Sequence, residues 1–387
     1  MERVDSPSVL GGLLVADFSR VLAGPFATML LGDLGADVVK VERPGTGDET
    51  RSWGPPYLDG ESAYFLAINR NKRSLALDLG SAEGRHAARR LCDRADVVVE
   101  NFKPGTMDRL GLSYADVSAT NPSVVYCSVS GFGTTGAGAS LVGYDFIVQA
   151  VGGLMSITGA EADQPTKVGV AVADVITGLF AANAILAGLV ARSTAGTGQR
   201  VEVDLMSCML AGLVNQASTF VTTGAVPRAI GNRHPAISPY EMFYAADRPI
   251  VVAVGNDGQF GLLARVLDLD WLASDERFAT NSARVANRDE LADLLNGRLR
   301  DRPAAEWAER FEAAGVPSGL VNDIAEAFSL ADRLGLNPVV KVGDASTGGA
   351  VAQVGDPMRL SSSPVTYRRR PPRLGEHTEE VLSELGL

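Results

Sequence analysis

The sequence predicts an α/β protein whose larger part is built on a parallel sheet. Three observations carry that prediction. Short β-branched runs alternate with helical patterns through the first half of the chain. Those runs are largely apolar on consecutive residues, not on every second one. After about 140 residues the alternation gives way to long helical stretches with little charge. Strands apolar on both faces and separated by helices belong to a parallel sheet covered on each side.

The elements follow in order. LLVADF (13–18) and ADVVKVE (36–42) read as strands around a helix near 25–34, and SLALDL (74–79) and ADVVVENF (95–102) flank a helix over 82–94. SVVYCSVSGFG (123–133) supplies a further strand that ends in glycines. A Rossmann-like domain is expected, though spacing leaves its strand order open. Segments 144–156, 174–192 and 203–222 read as helices rich in small residues, suited to deep packing or an oligomer interface. The passage TTGAVPRAIGNRHPAISP (222–239) breaks the regularity and marks a crossing to a second domain. There PIVVAVGN (249–256) is a strand, followed by amphipathic helices from 257, near 285–300 and near 303–314. A strand near 318–322 and a helix near 323–334 close that domain, and the tail GEHTEEVLSELGL forms a terminal helix. The expected division is 1–222 completed by 335–387, with a smaller α/β domain at 223–334.

Bulk properties narrow the function. With 46 acidic against 35 basic residues the net charge is −11, the wrong sign for a nucleic-acid or anionic-membrane surface. A small anionic substrate is still admitted, since local Arg and Lys outweigh a distant background. Cys92, Cys127 and Cys208 are widely spaced in apolar surroundings, as free thiols of a reducing compartment are. The start, MERVDSPSVL, lacks a basic segment followed by an apolar one, so a cytoplasmic location is expected. The apolar stretch 175–191 falls at the lower limit of the ~20 residues of a membrane span and is read as a core helix.

GFGTTG (131–136) matches a dinucleotide fingerprint, but it follows the last clear strand and no helix opens directly after it. A loop is the better reading, and a nicotinamide dehydrogenase stays a rival. His86, His234 and His377 stand at no metal-ligand spacing, so no metal is expected, and no GxSxG elbow occurs. Carboxylates remain. Asp174 is isolated in VGVAVADVITGLFAANAIL, where spacing alone makes it a helix N-cap. The same position suits a carboxylate catalyst, held ionised by free N–H groups and the helix dipole.

DFSRVLAGPFATMLLGDLGADVVKVERPGTGDETR (17–51) resembles the N-terminal signature of the class III CoA-transferases, the CaiB/BaiF family of formyl-CoA and carnitine CoA-transferases. NKRSLALDL (71–79), ENFKPGTMDRLGL (100–112), the SGFG loop, ADVITG (173–178) and LGEHTEEVLSELG (374–386) match in the same order. The resemblance implies CoA transfer between carboxylic acids through Asp174, by a mixed anhydride and an aspartyl-CoA thioester. It implies no permanently bound cofactor, with CoA and acyl-CoA as substrates. A loop of Gly255, Asn256, Asp257 and Gly258 is implied to lie over the active site and stabilise charge. CoA contacts are implied at Leu22, Ala23, Arg43, Leu77, Asp78, Asn101, Phe102, Lys103 and Arg109. An interlocked homodimer is implied as well.

Two departures matter. Arg20 and Leu22 stand where formyl-CoA transferase carries His and Gln. The α-methylacyl-CoA racemases, which share the architecture, need a His before the Asp of the 142–147 loop, and here Tyr144 precedes Asp145. Both residues are carried as active-site positions. The segments 231–243 and 255–260 look like members using dicarboxylate CoA esters. Arg20, Arg233 or His234 would then meet a distal carboxylate, or serve the fold instead. A racemase and a non-catalytic acyl-CoA-binding protein are the remaining alternatives.

Overall fold

The protein, seen here as a computed structural model, is described over residues 8–343 and 349–387. Most of the N-terminal run read for a leader, and 344–348 of the segment 335–387, lie outside the described residues. The chain forms two compact units. One comprises residues up to 154, 168–225 and 337 onward, and the other 155–167 and 226–336. The short stretch 155–167, expected in the large domain, therefore groups with the second unit.

The first unit is organised by six strands: β1 (Leu14–Asp17), β2 (Asp37–Glu42), β3 (Lys72–Ala76), β4 (Val97–Glu100), β5 (Val125–Ser130) and β6 (Gln199–Asp204). They lie in the order β3-β2-β1-β4-β5-β6, and every neighbouring pair is parallel. The order reverses between β1 and β4, and in such sheets ligands bind outside the strands' carboxyl ends at the reversal.

The apolar runs explain the layering, because successive strand residues point to opposite faces. Val15, Val38, Val97, Val99, Val125 and Cys127 enter a core shared with α1 (Ala23–Asp33) and α4 (Val172–Ala195). Ala16, Val39, Val98 and Tyr126 enter a second core, with α2 (Ala82–Arg94) and the terminal helix α8 (Thr378–Leu385). The three cysteines are free and buried, as expected.

Two helical expectations change. The predicted helix 203–222 is strand β6 up to Asp204, then α5 (Leu205–Gly212) and α6 (Val214–Thr223), with an 85° bend between the helices. The strand's QRVEVD sequence is half polar because β6 is the sheet's edge. The predicted helix 144–156 is α3 (Asp145–Val151) and a single turn over Leu154–Ile157, broken where Gly153 takes φ +87°.

Helix α4 buries only one stripe within its unit, Ala173, Thr177, Ala181, Ile185 and Gly188. Leu179, Phe180 and Val190 on its other side are exposed, so the fully packed core helix expected here is packed on one face only. Its length and hydropathy also meet those of a membrane span.

The second unit carries a three-stranded antiparallel sheet, with Pro249–Ala253 between Tyr240–Tyr244 and Ser318–Leu320. The strand Tyr240–Tyr244 lies just beyond the passage read as the crossing. Phe243, Phe260, Phe278, Trp307 and Phe311 form this unit's own core.

Candidate active site

At the carboxyl ends of β1 and β2 the chain buries charge. The Asp17 carboxylate accepts from Lys72 Nζ at 3.0 Å and Thr28 Oγ1 at 2.6 Å, and Lys40 Nζ reaches Asp48 Oδ2 at 2.8 Å. Glu42 takes Arg51 at 2.7 Å and the Asp48 N–H at 3.0 Å. Both lysines and both aspartates are fully enclosed. Burial works against ionisation, but the neighbouring ammonium groups win at Asp48, whose pKa falls to about 2. This network sets the loop after β1. Asp48 accepts from the Val21 N–H at 3.3 Å, and Val21 stands at φ +70°, a left-handed conformation that a β-branched residue adopts only when held. Asn101 completes the hold by accepting from the Arg20 N–H at 2.8 Å and donating to the Arg20 carbonyl at 2.7 Å.

From the other side comes α4. Asp174 is its third residue, not its cap: Ala171 holds the N-cap position and offers no side-chain bond. The capping acceptor is Asp145 on α3, whose Oδ1 takes the Ala173 N–H at 2.8 Å while Oδ2 takes Gln149 Nε2 at 2.7 Å. The buried Gln149 also accepts from the Val168 N–H at 2.9 Å. Asp174 is thereby left without a hydrogen bond among the described residues. Burial first, and the Asp145 charge second, push its pKa up to about 7. The Ala173 N–H, one of the helix-end donors expected to hold this carboxylate ionised, goes to Asp145 instead.

Asp174 opens into a cavity of about 190 Å³ at the reversal between β1 and β4, walled by Arg20, Leu22, Ala23, Phe102, Tyr144 and Leu205 among others. The glycines of the 131–136 loop serve this wall. A Cβ on Gly131 would lie 2.4 Å from the Gly143 Cα, so the two backbones touch, and the loop opens no helix that could hold a dinucleotide. A second cavity of about 630 Å³ shares Arg20, Glu49 and Phe102 with the first and is lined further by Arg43, Leu77 and Asp78. The shared walls make one bent groove. Tyr64 escaped the sequence reading. Burial, then the charges of Asp174 and Asp145, lift its phenol to about 12, so it stays a proton donor beside them. Gln149 was missed as well, although its position four residues after Asp145 on one helix face was the available signal.

The sequence-predicted positions divide. Asp174, Tyr144, Leu22, Ala23, Asn101, Phe102 and Lys103 line the first cavity, and Arg43, Leu77 and Asp78 the second. The Asn101 amide is already committed to Arg20. Arg109 lines neither cavity, and its Nη2 bonds Thr106 Oγ1 at 3.0 Å on the surface. Gly255, Asn256, Asp257 and Gly258 belong to the second unit. There Asn256 caps α7 (Asp257–Val266), Gln259 Oε1 occupies the Gly255 N–H at 2.8 Å, and Asp257 takes the buried Arg284 at 2.7 Å. In the same unit Arg233 pairs with Glu241 and Asp289, and His234 Nδ1 accepts from the Ala236 N–H. Among the described residues no His/Cys/Asp/Glu cluster has the makings of a metal site.

A doubly wound sheet with a half-buried, unpartnered carboxylate in a cavity at its switch point defines an α/β protein with a small-ligand site. The sequence model of CoA-transferase family III matches residues 10–378. Succinate--glutarate CoA-transferase of Agrobacterium fabrum is 43% identical over 384 residues, covering 97% of this chain and 95% of that protein. Mouse succinyl-CoA:glutarate CoA-transferase is 41% identical over 381 residues, 98% of this chain and 87% of the relative. A CAIB/BAIF family protein from Brucella suis superposes with a TM-score of 0.88 at 43% identity, covering 97% of this chain and 98% of that one. The chain belongs to CoA-transferase family III and is an enzyme.

Proposed function

We propose that this protein moves CoA from a dicarboxylate CoA ester such as succinyl-CoA to a second carboxylic acid such as glutarate, with Asp174 as the covalent carrier. The observation that carries this reading is Asp174 itself: half-buried, unpartnered, poised near neutrality and facing a groove. The names of the relatives above support the substrate class.

In the first step an ionised Asp174 oxygen attacks the thioester carbonyl and the CoA thiolate leaves, giving a mixed anhydride. The thiolate then attacks the Asp174 carbonyl carbon and the donor acid departs as its carboxylate, leaving an aspartyl-CoA thioester. The acceptor carboxylate attacks that thioester, and the released thiolate takes the acceptor's acyl carbon and frees Asp174. No proton is gained or lost overall. Oxygens poor in hydrogen bonds make a strong nucleophile, which is what the pairing of Asp145 with Ala173 and Gln149 secures.

CoA is read along the groove of a Rossmann-like domain, with its phosphates toward Arg43 and its thioester toward Asp174. The enzyme works as an interlocked homodimer, a reading supported by the exposed apolar side chains of α4 and α6, and as a cytoplasmic protein without a resident cofactor.

The test is product analysis with succinyl-CoA and glutarate by liquid chromatography and mass spectrometry. Glutaryl-CoA should form, and Asp174→Asn should cut the rate by about 10⁴-fold or more. Deuterium exchange at the acyl α-carbon without transfer would establish a racemase instead. CoA-ester binding indifferent to Asp174→Asn would establish a binding protein.

A further inference from the structure

Arg20 was one of three candidates for a distal carboxylate, and the structure separates them. Arg233 and His234 are engaged within the second unit, whereas Arg20 walls the cavity of Asp174. Its guanidinium is used on one side only. Nη1 meets Glu49 Oε1 at 2.8 Å, while Nε and Nη2 meet no acceptor among the described residues, and Nε is shut off from solvent. An atom closed to water is closed to a ligand oxygen as well, so Nη2 is the donor that Arg20 still holds open to a ligand in the cavity. It is also held rigidly. The Phe102 ring lies 4.9 Å from the guanidinium carbon, and Asn101 clamps the Arg20 backbone at both its N–H and its carbonyl.

Charge explains what that ligand is. A dicarboxylate joined to Asp174 or to CoA loses the charge at its reacting end and keeps it at the other. Arg20 and Lys103 are the cations lining the Asp174 cavity, and Lys103 is exposed. Arg43 lines only the neighbouring cavity, where a diphosphate is expected and which Arg20 borders as well.

We propose that Arg20 is the specificity-determining residue of this site, receiving the distal carboxylate of the dicarboxylate on its unpartnered Nη2, with Glu49 and Phe102 holding the guanidinium in plane. The inference rests on the dicarboxylate CoA-transfer reading above. Arg20→Lys keeps the charge and removes the planar guanidinium with its Nη2 donor, and Arg20→Met removes both.

The experiment measures acceptor kcat/KM for glutarate and for butyrate, each with saturating succinyl-CoA, so that donor effects cancel in the ratio. The expected result is a loss for glutarate on the order of 100-fold in Arg20→Met, with an intermediate loss in Arg20→Lys. The loss for butyrate should be at least about tenfold smaller. Equal losses for the two acids, or a higher KM for succinyl-CoA with the acceptor ratio unchanged, would overturn the assignment and give Arg20 to the CoA phosphates. Wild type that transfers CoA efficiently to butyrate and not to glutarate would overturn the dicarboxylate reading itself. Transfer to neither acid would overturn the CoA-transfer reading on which both stand.

Discussion

The lack of a partner sets Asp174, half-buried at the cavity wall, apart from Asp17 and Asp48, whose carboxylates are fully enclosed and face lysines. Ionising a carboxyl whose native pKa has risen from 3.8 to about 7 costs stability, and the penalty builds as pH rises between those values. Asp174→Asn removes it. After discounting for partial exposure, the variant should be about 1–2 kcal/mol more stable than wild type at pH 8, a gain that vanishes toward pH 4. Urea unfolding at the two pH values measures it. Catalysis reports the same group with the opposite preference. In the free enzyme, kcat/KM for the donor ester should climb with pH through about 7, because only the carboxylate attacks. Asp145→Asn keeps an acceptor for the Ala173 N–H while deleting the charge, so it should move that limb to lower pH. A limb unmoved by Asp145→Asn would leave burial as its sole cause.

At the scale of elements, the loop after β1 depends on the ion pairs beneath it. Lys40→Met leaves Asp48 buried and uncompensated, which should cost about 3–5 kcal/mol in chemical denaturation. The loss of donor kcat/KM should exceed that of a surface Lys→Met control, since Asp48 holds Val21 in its strained conformation beside the cavity. This network was not legible in the sequence. Lys40 sits in a run that read as a strand and Lys72 stands two residues before the next such run, 74–79; the parallel pairing of β1, β2 and β3 is what brings their ammonium groups to Asp17 and Asp48. The strands themselves were legible, because a sheet covered on both faces leaves continuous Val and Ala runs at 36–42 and 95–102. Strand β6 was not, since its alternating QRVEVD runs straight into a helix. Asp174 could be singled out as an acid in apolar surroundings, yet its role at the helix end was misread. The capping group comes from another helix, and local spacing has no access to it.

For the whole molecule, Leu179 and Phe180 on α4 and Phe220 and Val221 on α6 leave apolar side chains in water that a lone chain does not cover. Sedimentation should therefore give about twice the chain mass of 40.6 kDa, and Phe180→Glu with Phe220→Glu should shift it to the monomer. A monomeric wild type would contradict the dimer. The measurement that tests the central claim most directly is intact-protein mass spectrometry after brief mixing with succinyl-CoA. Wild type should gain the mass of CoA less one water in a hydroxylamine-sensitive bond that maps to Asp174, and Asp174→Asn should gain nothing. Turnover of succinyl-CoA and glutarate with no trapped adduct at any time, or an adduct that persists in Asp174→Asn, would contradict a covalent carrier at this residue.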